Sequence, residues 1–133
     1  MSFDKLLEEC LKEPQFEPPT QHTVHGGMYA RQLFSPAGTI LMGKKHKQDH
    51  FFLLAAGVVT MTTDEGPVTI SAPYLMPSTA GTRRAIYINE DAIFVTFHRV
   101  NSTELSEIEN EVVEDDPRSP FGFDNKIRPE LLK

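Results

Sequence analysis

Through the middle of this chain apolar and polar residues alternate at short range, while at both ends they repeat with the spacing of a helix turn. The strand-like pattern runs from about Val24 to Val100. Tyr29–Phe34 precedes the turn Ser35-Pro36-Ala37-Gly38, and Thr39–Gly43 follows it. Phe51–Ala56, Val58–Thr63, Pro67–Ile70, Tyr74–Met76, Arg84–Ile88 and Ala92–His98 continue the series, with Asp64-Glu65-Gly66 as a hairpin turn. About eight short strands without helices between them predict an all-β sandwich or barrel.

The ends read differently. Phe3, Leu6, Leu7, Cys10 and Leu11 predict a helix over 3–13, capped by Ser2 and stopped by Pro14. Prolines 14, 18 and 19 then keep the chain extended. A second helix is predicted over 102–113, with Ser102 as cap, Leu105, Ile108 and Val112 on one stripe, and acids elsewhere. The expected organisation is an N-terminal helix and arm over 1–20, a barrel over 21–100, and an acidic helix with a polar tail over 101–133.

The 133 residues make one ordinary domain with enough chain for a real core. A hydrophobic content of 39%, with nine Phe and no Trp, suits a small β-rich protein. No apolar run is long enough to span a membrane, and the acidic, amphipathic N-terminus is unlike a secretory signal. Cys10 is the only cysteine, which excludes a disulfide framework and points to a reducing interior. The net charge of −6 is concentrated: residues 104–116 carry seven of the nineteen acids, and the rest of the chain is one positive charge from neutral. That balance argues against a dedicated nucleic-acid surface, despite Lys44, Lys45 and Lys47.

Candidate chemistry gathers in Gly43-Lys44-Lys45-His46-Lys47-Gln48-Asp49-His50. Lys44, His46 and His50 share strand parity and so one face. A fully extended chain would hold the two histidines roughly 13 Å apart. For their imidazoles to converge on one metal, Lys47-Gln48-Asp49 must bend. Neutral imidazoles suit zinc, iron, manganese or nickel, with Asp49 as an outer orienter or alternative ligand. His98, late in an apolar strand, is the candidate third ligand; His25 is a weaker one, and His22 reads as surface. Against a shared metal stands a hydrogen-bonded polar pocket built from the same histidines. Arg84 cannot ligate a metal but can hold a carboxylate or phosphate. Lys44 reads either as a general base and ligand contact or as a solvated rim charge.

These residues resemble the cupins. Gly43-x-x-His46-Lys47-x-x-His50 leading to Gly57 resembles the first cupin motif, and Gly81-Thr82-x-Arg84 the second, with Arg84 where that motif carries a histidine. Together with Gly27-Met28-Tyr29-Ala30-Arg31, Pro36-Ala37-Gly38-Thr39, Leu54-x-x-Gly57, Asp91 and Thr96-x-His98, the string over about 22–110 is similar to short single-domain cupin-like proteins of tailed bacteriophages and prophages. The resemblance implies a jelly-roll (double-stranded β-helix) barrel and a phage setting, in the host cytoplasm or on the virion, but brings no established activity. A fainter similarity to cupin-fold sugar-nucleotide ketoisomerases places Lys44 where their first catalytic histidine stands.

Three functions follow as alternatives. One is a divalent metal or small anionic ligand in the barrel mouth, with His46, His50 and His98 on the metal and Arg84 and Lys44 on the anion. The second is an assembly component using the barrel as scaffold and the arms as contacts to a virion protein. The third is a metal-dependent oxygenase or an isomerase. A homo-oligomer is expected in each case, because barrel sheet edges need covering.

Overall fold

The computed structural model describes residues 18–113. The expected first helix, most of the proline-rich arm, and the tail with Phe121 and Phe123 lie outside the described residues. Seven strands run β1 (Thr20–His25), β2 (Met28–Ser35), β3 (Ile40–Met42), β4 (His50–Met61), β5 (Val68–Ser71), β6 (Tyr74–Ser78) and β7 (Ala85–Arg99), followed by helix α1 (Leu105–Val112).

Every strand pair is antiparallel, in the order β1-β2-β7-β4-β5, with β3 added on β7 and β6 on β4. The two long strands organise the barrel because each changes partner along its length. β4 holds β6 through His50–Leu54 and β5 through Val58–Met61. β7 holds β3 through Ala85–Tyr87 and β2 through Ala92–Arg99. Hence one leaf, β1-β2-β7-β4-β6, faces a second, β3-β7-β4-β5.

Two expected strand breaks are therefore bends within continuous strands. At Gly57 the β4–β7 register shifts, and the glycine has φ +92°. A Cβ there would lie 2.3 Å from the Asp91 carbonyl oxygen, so no larger residue fits without moving the backbone. Asn89-Glu90-Asp91, polar like a turn, continues β7 past the same bend on its exposed side, where Asp91 Oδ1 accepts the Ala37 N–H at 2.8 Å. The alternation marks β1 only from Val24, since Thr20-Gln21-His22-Thr23 has little apolar content; as an edge strand β1 half-buries one face only.

Inward residues of both leaves form the main core, with Leu54, Val59, Ile88, Ala92 and Phe94 fully or nearly fully buried. A second cluster joins Tyr29, Val100, Ile108, Val112 and Val113, and seats α1 over one end of the barrel. The helix starts at Leu105 with Glu104 as N-cap; Ser102 is outside the cap, accepting the Glu104 N–H and bonding Glu107. The acids were expected off the apolar stripe, yet Glu109 is buried at 6% exposure. Spaced four from Leu105 and Val113, it lies on the face that meets the barrel.

Candidate ligand-binding site

α1 closes on the bend that carries the histidines. Lys47 N–H donates to Val112 O at 2.9 Å, and His46 forms an isolated antiparallel bridge with Val113. On its other side the bend is tied to the turn before β7: Gly81 N–H donates to His46 O at 2.9 Å, and Asp49 Oδ1 accepts the Ala80 N–H at 2.8 Å. Asp49 is thus an exposed backbone cap in this structure rather than an orienter of imidazoles. Gly43 N–H donates to Arg84 O at 2.8 Å, and a Cβ at Gly43 would press on that oxygen at 2.9 Å. The glycine lets the two loops of the mouth touch.

The bend brings His46 and His50 together with ring centroids 4.1 Å apart, and His98 comes up from β7 at 5.3 Å from His46 and 4.7 Å from His50. His98 stacks in turn on Tyr29, its cross-strand partner, at 5.6 Å. Tyr29 OH bonds His22 Nδ1 at 2.6 Å, so His22 is a half-buried partner of the cluster rather than a plain surface residue. His25 is exposed on the outer side of β1 and takes no part.

Hydrogen bonds fix two tautomers. A carbonyl only accepts, so His50 Nδ1 carries the proton given to Gln48 O at 3.2 Å, leaving the Nε2 lone pair free. A guanidinium only donates, so His46 Nε2 accepts from Arg31 Nη2 at 3.4 Å. His98 Nε2 pairs with Thr96 Oγ1 at 2.9 Å, while its Nδ1 is buried with no hydrogen-bond partner among the described residues.

All three rings are held neutral. Burial, then the neighbouring His50 and Arg31, pushes His46 down to about 2. Burial followed by Arg31 and His50 pushes His98 down to about 3. His50 is lowered by burial as well, against the bond to Gln48 O, which favours its charged form.

Arg31 was not among the expected site residues, though Tyr29, Arg31 and Leu33 share parity on the inner face of β2. An arginine in an apolar row is the signal that would have found it. It is 5% exposed, and its Nη1 lies 3.6 Å from Glu109 Oε2. Arg84, in the loop before β7, points its guanidinium at Ser78, with Nη1 donating to Oγ at 2.8 Å.

These residues surround a cavity of about 120 Å3. Arg31, Arg84, Lys44, His46 and His50 line its polar side, and Leu33, Leu41, Phe52, Ile86 and Phe94 its apolar side. His98 stands behind this wall rather than in it. No carboxylate belongs to the lining among the described residues.

No protein-family model and no curated protein sequence matches this chain. Solved structures do. One is a cupin superfamily protein from Desulfitobacterium hafniense, 10% identical, covering 67% of this chain and 83% of that one, with TM-score 0.56. Another is an RmlC-like cupin family protein with a double-stranded β-helix fold from Methanocaldococcus jannaschii, 11% identical, covering 62% and 80%, with TM-score 0.53. The barrel has the cupin fold. A third similar structure, an acetylacetone dioxygenase from Acinetobacter johnsonii, is 16% identical, covers 60% of this chain and 58% of that one, and has TM-score 0.51. At these identities the likeness carries the fold alone.

The donor chemistry of three neutral imidazoles suits a transition metal, but their arrangement does not. Among the described residues no three histidine, cysteine or acidic side chains are disposed to hold a metal ion. A cation at His46 Nε2 would also displace the Arg31 guanidinium and face its fixed charge.

Proposed function

We infer that this cupin-fold barrel binds a small organic anion in its mouth. The observation that carries the reading is the cavity wall, which gathers Arg31 and Arg84 beside an apolar lining and includes no carboxylate among the described residues. Arg84 is the principal anchor, because its planar fork suits a carboxylate and Ser78 already orients it. Arg31 shares its charge with Glu109, and Lys44 also belongs to the lining. Opposite them, Phe52, Ile86 and Phe94 suit a short hydrocarbon body. The volume is somewhat below the about 150 Å3 of an apolar cavity that accepts benzene, so the ligand is a short-chain acid rather than a nucleotide sugar.

Binding is favoured over catalysis by the same histidines. A general base works best with a pKa near the working pH, and His46 at about 2 is a weak proton acceptor. A second reading, a divalent metal on His46, His50 and His98, draws support from the His50 tautomer, whose Nε2 lone pair is free. It requires Arg31 to move from His46. The phage or prophage setting, with the protein in the host cytoplasm or on the virion, rests on the residue string from Gly27 to His98.

Calorimetric titration with short-chain monocarboxylates, dicarboxylates and inorganic phosphate tests the main reading. A short-chain carboxylate should bind, and Arg84→Met should weaken it at least about tenfold through loss of the charged fork. Binding unchanged by Arg84→Met would overturn it. Stoichiometric metal in the purified protein, lost in a His46→Ala, His50→Ala double variant, would favour the second reading instead.

A further inference from the structure

The outer face of the leaf β1-β2-β7-β4-β6 carries a feature that the mouth does not use. Register pairs put Ala30, Phe97, Phe51 and Pro77 in one row across four strands, and Gln32, Val95, Leu53 and Leu75 in the next. Phe51 is 53% exposed, Phe97 40% and Leu75 61%. Neither row contains a charge. The polar Gln21, Thr23 and His25 of β1 bound the patch on one side, and Arg99 bounds it at the strand end. The strand carrying Leu75 pairs only with β4, so it also leaves an open sheet edge among the described residues.

We propose that this face is the interface with a second copy of the chain, packed sheet on sheet about a two-fold axis. Self-association fits an apolar sheet face with a polar rim, because a two-fold axis sets the same patch against itself and needs no complementary surface elsewhere. Its extent is adequate. Large apolar side chains near half exposure offer on the order of 100 Å2 each, so Phe51, Phe97, Leu75 and Met28, with Leu53 and Val95 between them, supply several hundred. A stable interface buries about 800 Å2 per partner, with an apolar centre inside a polar rim. The described chain begins and ends on the other side of this sheet. Pro18 lines the cavity, and Val113 follows α1 beside His46. The mouth stays open in such a pair, because the cavity and the patch occupy opposite faces of one leaf.

Light scattering on the full chain should give a dimer mass. A Phe51→Glu, Leu75→Glu double variant should weaken self-association by at least about thirtyfold, by placing desolvated charge at the interface centre. Its far-UV circular dichroism should match that of the unsubstituted chain. Tyr87→Glu, on an exposed residue of the other leaf, should leave the dimer intact. Hydrogen exchange on the unsubstituted chain gives a readout that does not depend on the variant folding: protection over 50–54 and 74–78 should fall on dilution. A full chain that is monomeric at every concentration overturns the proposal, as does a dimer indifferent to the double substitution. Protection of the patch that persists on dilution and is lost on removing residues 1–17 would assign it to the chain's own arm, and so overturn it too.

Discussion

At one end of the barrel Leu54, Val59, Met61 and Ile88 are buried in one cluster; at the other, Arg31, His50, His98 and Glu109 are buried almost as deeply. Both ends hang on the same two strands. The apolar end gains stability from each side chain it removes from water. The polar end must desolvate a guanidinium, a carboxylate and three imidazoles, and it leaves Arg31 Nε, Glu109 Oε1 and His98 Nδ1 without hydrogen-bond partners among the described residues. A fold that tolerates such a cluster beside an apolar cavity has kept polar groups where packing alone would place hydrocarbon. That cost locates the site without reference to any relative.

Acid should separate the two ends most strongly. His46 and His98 have folded-state pKa values far below their ordinary 6.5, so unfolding takes up protons. Their contribution is fully present above about 6.5 and is lost as pH falls toward about 3 and then about 2. Over the first two pH units below 6.5, two withheld protons cost on the order of 5 kcal/mol. Urea unfolding across that range should show the slope, and His98→Phe should reduce it by about one proton. A flat profile would mean that these rings reach water.

At the apolar end Ile88→Ala should destabilise by about 4 kcal/mol through lost transfer energy and the cavity left behind. The pH slope should not change, and urea midpoints at two pH values check both points. Glu109→Gln should cost about 3 kcal/mol, because Arg31 is left buried without its counter-charge. An Arg31→Met, Glu109→Leu pair should recover most of that loss, which a purely structural helix contact would not. Smallest is the bend the two ends share. Gly57→Val should cost about 2 kcal/mol through positive φ and the clash with Asp91 O, measured as a drop in melting temperature. An unchanged melting temperature would show that the strand can run straight.

Much of the barrel could be read from the chain because a strand's period of two is a local property. The alternation in Tyr29–Phe34 and Ala92–His98, the glycine after Ala56 and the hairpin at Asp64-Glu65-Gly66 each depend on near neighbours. His46 and His50 could be paired for a similar reason, since a short bend joins them. Whether Phe51–Ala56 and Val58–Thr63 were one strand or two depended on Asp91, far along the sequence, and the sequence alone did not determine it. Arg31 and Glu109 were beyond local reach as well. Their meeting requires β2 to lie beside β7 and α1 to fold back over the mouth, which depends on where Tyr29, Val100 and Val112 bury together. Periodicity and turn chemistry act through the backbone within a few residues and are written in the sequence. Burial, the resulting pKa shifts and the charge balance of a cavity depend on which distant segments exclude water together, and only the tertiary structure decided them.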